Sequence, residues 1–205
     1  FGAGVGGLSV VRALGERLPH ESIIYLGDPA RLPYGTKSAE SIVRYATQAT
    51  DHLVGRGIKL LVVACNTASA VSLDPIASRF APLPVVGVVQ PGAEAAVATG
   101  GRRHLVLATE STVRRHAYAR AIHALDPTAD VSEHACSLFV ALAEEGWTDG
   151  PIADAVADRY AKDSLAGLPP PDTVVLGCTH FPLLAGAVRR AIGRGPTIVD
   201  SATTT

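Results

Sequence analysis

The chain predicts an α/β fold of two pseudo-symmetric domains, each a mostly parallel sheet flanked by helices, facing one another across a cleft. Three observations predict it. Apolar β-branched runs alternate with helical periods and short loops along the 205 residues, which is the pattern of repeated strand–helix units. Two of those runs end alike, LVVACNTASA at 61–70 and TVVLGCTHFPLL at 173–184, and Cys178 follows Cys65 by 113 residues. HLVLATESTVR at 104–114 occupies in the second half the place that FGAGVGG at 1–7 occupies in the first, as an internal duplication would have it.

Taken in order, Leu8–Leu18 has helical spacing and 22–28 reads as a strand ending at Asp28. Residues 29–37 form a loop set by Pro29, Pro33 and Gly35, and Ser38–Arg56 reads as a helix closed by Gly55 and Gly57. Leu60–Ala64 is a buried strand that turns into a helix at Asn66-Thr67. A strand at 85–90 and a glycine-closed helix at 91–101 follow, and the domain crossing falls near that helix. The second half repeats the scheme. A strand with Thr109, Ser111 and Thr112 at its turn leads to a helix over Val113–Leu125, then a short strand and loop around Cys136. The helix Ile152–Leu165, a rigid PPPD linker, the second cysteine unit, a helix over Leu183–Ile192 and a strand at 197–200 complete it. The expected domains are 1–92, joined by 198–205, and 93–197.

Composition narrows the function. A net charge of −1 favours neither nucleic acid nor an anionic membrane as partner. No stretch approaches the ~18 apolar residues of a membrane span, and no signal peptide is visible. Three cysteines, two of them at strand ends, do not resemble a disulfide framework, so a reduced cytoplasmic setting is expected. Lys37, Lys59 and Lys162 stand away from strand ends, which argues against a Schiff-base lysine. The start on Phe1 and the lack of methionine read as a fragment missing its natural beginning.

The carboxyl ends of parallel strands are where α/β sheets place ligands. A thiol there, at the start of a helix, is expected to have its pKa lowered. Cys65 and Cys178 could bind metal with His180 or form a redox disulfide, but neither has the C-x-x-C spacing of such sites. One could be a lone nucleophile, or the two could act as acid and base on opposite faces of a carbon. Cys136 has no counterpart in the repeat and reads as a small buried apolar residue. A second reading rests on Gly2, Gly4 and Gly7 with Asp28 about 20 residues on, which match a dinucleotide-binding turn. The plainer reading of those glycines is a tight strand-to-helix turn. Likewise Tyr34 either faces a ligand or packs on the surface, and Glu144 with Glu145 either serves chemistry or ends a helix in solvent.

YLGDPARLPYG at 25–35, ACNTAS at 64–69, GVVQPGA at 87–93, GCTHFPLL at 177–184 and VDS at 199–201 resemble the cofactor-independent glutamate racemases of the aspartate/glutamate racemase family. The resemblance runs in order through the whole chain. It implies an isomerase with its active site in the interdomain cleft, taking L-glutamate to D-glutamate for peptidoglycan synthesis without cofactor or metal. Glutamate is then the partner, and a homodimer is left open. Carried over, Cys65 and Cys178 are the two bases, with Glu144 and His180 as auxiliary acid and histidine on the Cys178 side. Tyr34, Gly35, Asn66, Thr67, Thr112, Thr179 and His180 match amino-acid-binding positions. Aspartate racemases share the cysteines but resemble GCTHFPLL less, so another amino acid is the alternative substrate. The family opening is F-D-S-G-V-G-G, whereas this chain has Phe1-Gly2-Ala3-Gly4, without the aspartate that serves the first cysteine or the serine that touches substrate. Impaired activity is expected from that. The first sheet is also expected to lack a strand and its covering helix.

Overall fold

A computed structural model describes residues 1–205. The first half contains α1 (Gly7–Arg17), α2 (Ala39–Val54), β1 (Leu61–Val63), α3 (Asn66–Arg79), β2 (Val85–Gly87) and α4 (Val89–Ala98). The Ser38 side chain accepts from the Ser41 N–H at 3.2 Å and caps α2, an interaction worth about 1 kcal/mol. Ile42, Ala46, Ala49 and Leu53 recur on one face of α2 and bury it against β1 and α3.

β1 and β2 pair in parallel. On the other flank of β1, Phe1 donates from its amino group to the Val62 carbonyl at 2.7 Å and accepts from the Ala64 N–H at 2.8 Å. Gly2 in turn bridges Gly27, donating to the Leu26 carbonyl and accepting from the Asp28 N–H, each at 3.0 Å. The strand expected over 22–28 is therefore reduced to one bridge. A ladder needs a partner along its length, and here Gly2 supplies the pairing. Ile23 and Ile24 remain 43% and 46% exposed.

The second half contains β3 (Arg103–Ala108), α5 (Glu110–Arg114), α6 (Ala117–Leu125), β4 (Asp130–Ala135), α7 (Leu138–Glu144), α8 (Pro151–Ser164), β5 (Thr173–Gly177), α9 (Ala185–Ile192) and β6 (Thr197–Asp200). All four strands are parallel, in the order β4-β3-β5-β6. Reading the first half as 26–28, then 1–2, then β1, then β2 gives the same spatial order, second-first-third-fourth. Both orders reverse direction beside their first strand, the place where such sheets open a crevice. β5 is buried throughout, as a central parallel strand should be. Leu105, Leu107, Val174 and Leu176 pack on the side of α7, α8 and α9, while Val106, Ala108 and Val175 face α4 and α6.

One expected helix, Val113–Leu125, is broken, and the one expected from Leu183 starts two residues later. His116 takes φ 48°, ending α5 and letting α6 start in a new direction. After Cys178 the chain makes a 3₁₀ turn at Phe181–Leu184 before α9, so the second cysteine does not lead straight into a helix as the first does. α4 begins at Val89, inside the apolar run expected to remain strand to residue 90. No helix is long and apolar enough to cross a membrane.

Candidate active site

Cys65 lies two residues past β1 and is the residue before the first turn of α3. It is 8% exposed. Burial pushes its thiol pKa up, and the backbone N–H groups of Ala68, Thr67 and Ala3, which favour the thiolate, oppose the rise without prevailing. Cys178 occupies the equivalent place after β5. Burial pushes it up to about 12, against the N–H groups of His180 and Phe181, and the charges of Cys65 and Glu144 add to the rise. The expectation that helix N-termini would lower these pKa values is thus corrected: desolvation of a buried thiolate outweighs a few N–H dipoles. Burial likewise raises Cys136, which is fully buried in the core under β4, as expected of a structural residue.

Cys178 has side-chain neighbours in addition to those N–H groups. His180 Nδ1 lies 3.7 Å from its sulfur, and His180 Nε2 contacts Glu144 Oε1. Glu144 is the last residue of α7, the end of a helix that disfavours a carboxylate. Its orientation comes from packing: Phe139 on α7 meets Phe181, three residues past Cys178, edge to face at 5.2 Å. Glu144 Oε1 also accepts from the Val5 N–H at 3.2 Å, so the glycine loop of the first half reaches this dyad.

That loop has no room for side chains where it crosses. A Cβ on Gly6 would lie 2.8 Å from both His180 Nδ1 and Thr179 Oγ1. The loop's glycines therefore serve close approach to the Cys178 turn. Asp28, the acid of the dinucleotide reading, is buried; it accepts from the Tyr34 hydroxyl at 2.6 Å and pairs with Arg31 at 2.6 Å. Both features remove the basis of that reading.

The remaining candidates form two polar chains across the halves. Thr67 Oγ1 meets Thr109 Oγ1 at 2.8 Å, and Thr109 meets Thr112 at 3.0 Å. Gly35 lies over the same threonine: a Cβ there would stand 2.6 Å from Thr109 Cβ. Asn66 accepts from the Tyr118 hydroxyl at 2.7 Å and donates to Ser201 Oγ at 2.9 Å. The Thr179 carbonyl accepts from Ser9 Oγ at 3.4 Å. Thr109, Tyr118 and Ser201 were not among the residues singled out as binding positions. Thr109 follows β3 in the turn already flagged by its hydroxyls and Ser201 closes the VDS stretch, whereas nothing local marks Tyr118. No three His, Cys, Asp or Glu side chains converge as a metal site would require. Cavities of about 720 and 700 Å³ lie elsewhere, one beside Arg102 and Asp172 and one beneath α1, and neither includes a candidate residue.

Residues 8–205 match the family model described as Asp/Glu/Hydantoin racemase. The chain is 50% identical to the glutamate racemase of Geobacter metallireducens over 205 residues, covering 98% of this chain and 74% of that protein. The fold superposes on Francisella tularensis glutamate racemase in complex with D-glutamate with a TM-score of 0.91 at 34% identity, covering 100% of this chain and 75% of that one. Escherichia coli glutamate racemase in complex with L-glutamate and the activator UDP-MurNAc-Ala gives 0.83 at 35% identity, covering 99% and 76%. With this match spanning all but its first seven residues, the chain belongs to the Asp/Glu/hydantoin racemase family.

Proposed function

We propose that this chain is an isomerase that interconverts L- and D-glutamate by two-base chemistry at Cys65 and Cys178. One sulfur, as thiolate, takes the α-proton; the other, as thiol, returns a proton to the opposite face of the α-carbon. Each turnover leaves the two sulfurs with exchanged protonation, and no cofactor is drawn upon. The observation that carries the reading is the placement of the cysteines after the third strand of two sheets with the same spatial order. Sequence relatives and structural neighbours that are glutamate racemases support glutamate over aspartate.

His180 and Glu144 hold the proton balance on the Cys178 side. Tyr34, Gly35, Asn66, Thr67, Thr112 and Thr179 would meet the substrate's amino and carboxylate groups, which backbone N–H groups and hydroxyls at helix starts are suited to bind. The packing of Ala93 and Ala96 with Val106 and of Ala202 with Val10 and Ala64 supports the domain division 1–92 with 198–205, and 93–197, except that 198–200 run in β6 of the second-half sheet and move the return to the first domain to about Ser201. A cytoplasmic supply of D-glutamate to peptidoglycan synthesis is the role this activity would serve.

The test is NMR of each glutamate enantiomer in D₂O with the full chain. Loss of the α-proton signal with inversion, at equal kcat/KM in both directions, is expected because enantiomers have equal energy. Absence of α-proton exchange from either enantiomer overturns the reading. Preference for aspartate, or a melting temperature raised by NAD(H) and not by glutamate, decides for the alternatives.

A further inference from the structure

Tyr118 on α6 is fully buried, yet its position demands more than a large apolar residue. Its hydroxyl donates to Asn66 Oδ1 at 2.7 Å, the residue directly after Cys65. Its ring lies against Gly177, the residue directly before Cys178: a Cβ there would stand 2.9 Å from Tyr118 Cε2. Gly92 on α4 clears the far side, where a Cβ would stand 2.8 Å from the hydroxyl. One side chain from the second half therefore touches the turns of both cysteines. Ser201, following β6, accepts from the Asn66 amide at 2.9 Å and completes the grip on that residue.

We propose that Tyr118 is a positioning residue that sets the two cysteine turns against each other, its hydroxyl acting on the Cys65 turn through Asn66 and its ring on the Cys178 turn through Gly177. The inference deepens the racemase reading and rests on it for the roles of the two sulfurs. Phenylalanine would fill the same volume, so a purely packing role predicts that the hydroxyl is dispensable. The hydroxyl is instead the donor to a buried amide oxygen, and removing it leaves that oxygen unsatisfied. The Cys65 turn, whose N–H groups face the sulfur, then loses its fixed orientation.

The experiment measures alkylation of each cysteine by iodoacetamide, by mass spectrometry, in the full chain. Cys136 is the internal standard and Ile122→Val, on the same helix face but away from Asn66, is the control for general loosening. Tyr118→Phe should speed Cys65 roughly 10-fold relative to Cys136 and leave Cys178 unchanged, the size expected from one lost buried hydrogen bond. Tyr118→Leu should speed both Cys65 and Cys178. In an Asn66→Ala background, Tyr118→Phe should add nothing at Cys65. Tyr118→Phe at the parental Cys65 rate, or with all three cysteines faster together as in the control, overturns the proposal. Should Tyr118→Phe not fold, Ser201→Ala decides: Cys65 alone faster supports the grip on Asn66, and no change overturns it. Racemisation assayed alongside keeps the two readings apart, because a parent chain without α-proton exchange fails the functional reading and leaves the thiol pattern to judge this one.

Discussion

Cys65 and Cys178 stand at equivalent positions in two sheets of the same strand order, and they are supported by different means. Around Cys65 the support is backbone: N–H groups from Thr67, Ala68 and Ala3. Around Cys178 the N–H groups of His180 and Phe181 are joined by a histidine ring at 3.7 Å, itself tied to a carboxylate from another helix. The difference follows from what comes after each strand. α3 begins at once beyond Cys65 and offers its free N–H groups, whereas the 3₁₀ turn beyond Cys178 leaves space for His180 to fold back beside the sulfur. Equivalent positions in a duplicated fold thus fix where a reactive group sits, and the local turn decides how it is served.

Removing either sulfur is the severest way to break this comparison. Cys65→Ala and Cys178→Ala should each lower kcat/KM by about 10⁴-fold or more, equally in both directions, as read by polarimetry. If one variant stays active, the two turns are not partners in one reaction. Glu144→Gln should cost roughly 10²-fold in kcat by removing charge from the dyad on one side. The same variant should change the alkylation rate of Cys178 and leave Cys65 untouched; an effect on both thiols would show that the supports are shared. Gly2→Asp should sharpen the contrast from the other side by giving Cys65 a carboxylate of its own. A Cβ at Gly2 stands 2.8 Å from the Tyr25 hydroxyl, which must yield. The net expected gain is roughly 10-fold in kcat/KM, and a loss would mean that Tyr25 is needed where it is.

Titration compares the thiols directly. Burial pushes both up, Cys178 to about 12, which disfavours the thiolate of each in the free protein. Alkylation of each should keep rising above pH 9 without a plateau near 7, and a plateau there would show a stabilised thiolate. The smallest effect lies outside the site. His104 on β3 is 1% exposed with neither ring nitrogen hydrogen-bonded, and burial lowers its pKa. The unfolded chain then binds the additional proton. Stability is full above about pH 6.5 and falls as pH drops from there toward the lower folded value. His104→Leu should flatten that slope and add about 1 kcal/mol, measured by urea denaturation at pH 7 and 5.

Much of the framework was legible because its signals are local. The runs LVVAC and TVVLGC are apolar, β-branched and short, and each becomes a buried strand with its cysteine at the carboxyl end. The hydroxyl-rich turn at 109–112 announced a site element, and the Thr67–Thr109–Thr112 contacts use it. What escaped depends on long-range partners. The run SIIYLGD has strand composition, but pairing needs a neighbour and only Gly2 bridges it. His116 breaks an apolar helical period that continues unbroken on both sides, so its left-handed backbone leaves no trace in the pattern. Thiol acidity was misjudged for the same reason. A helix start is visible in sequence, while the depth at which Cys65 and Cys178 are buried belongs to the assembled halves.

The loop Gly4–Gly6 ties the first half to the Cys178 turn. Val5 is bound to Glu144, Ser9 to Thr179 and Thr67 to Thr109, so three contacts join the halves around the cysteines. Were an arriving amino acid to need all three parted, at about 1 kcal/mol each, the receptive form would be roughly 1% or less of the free protein. Intrinsic affinity would then be diluted about 100-fold in any measurement on the free protein. Weak apparent binding would therefore report how seldom the door stands open, and a looser loop would tighten it without touching a single substrate contact.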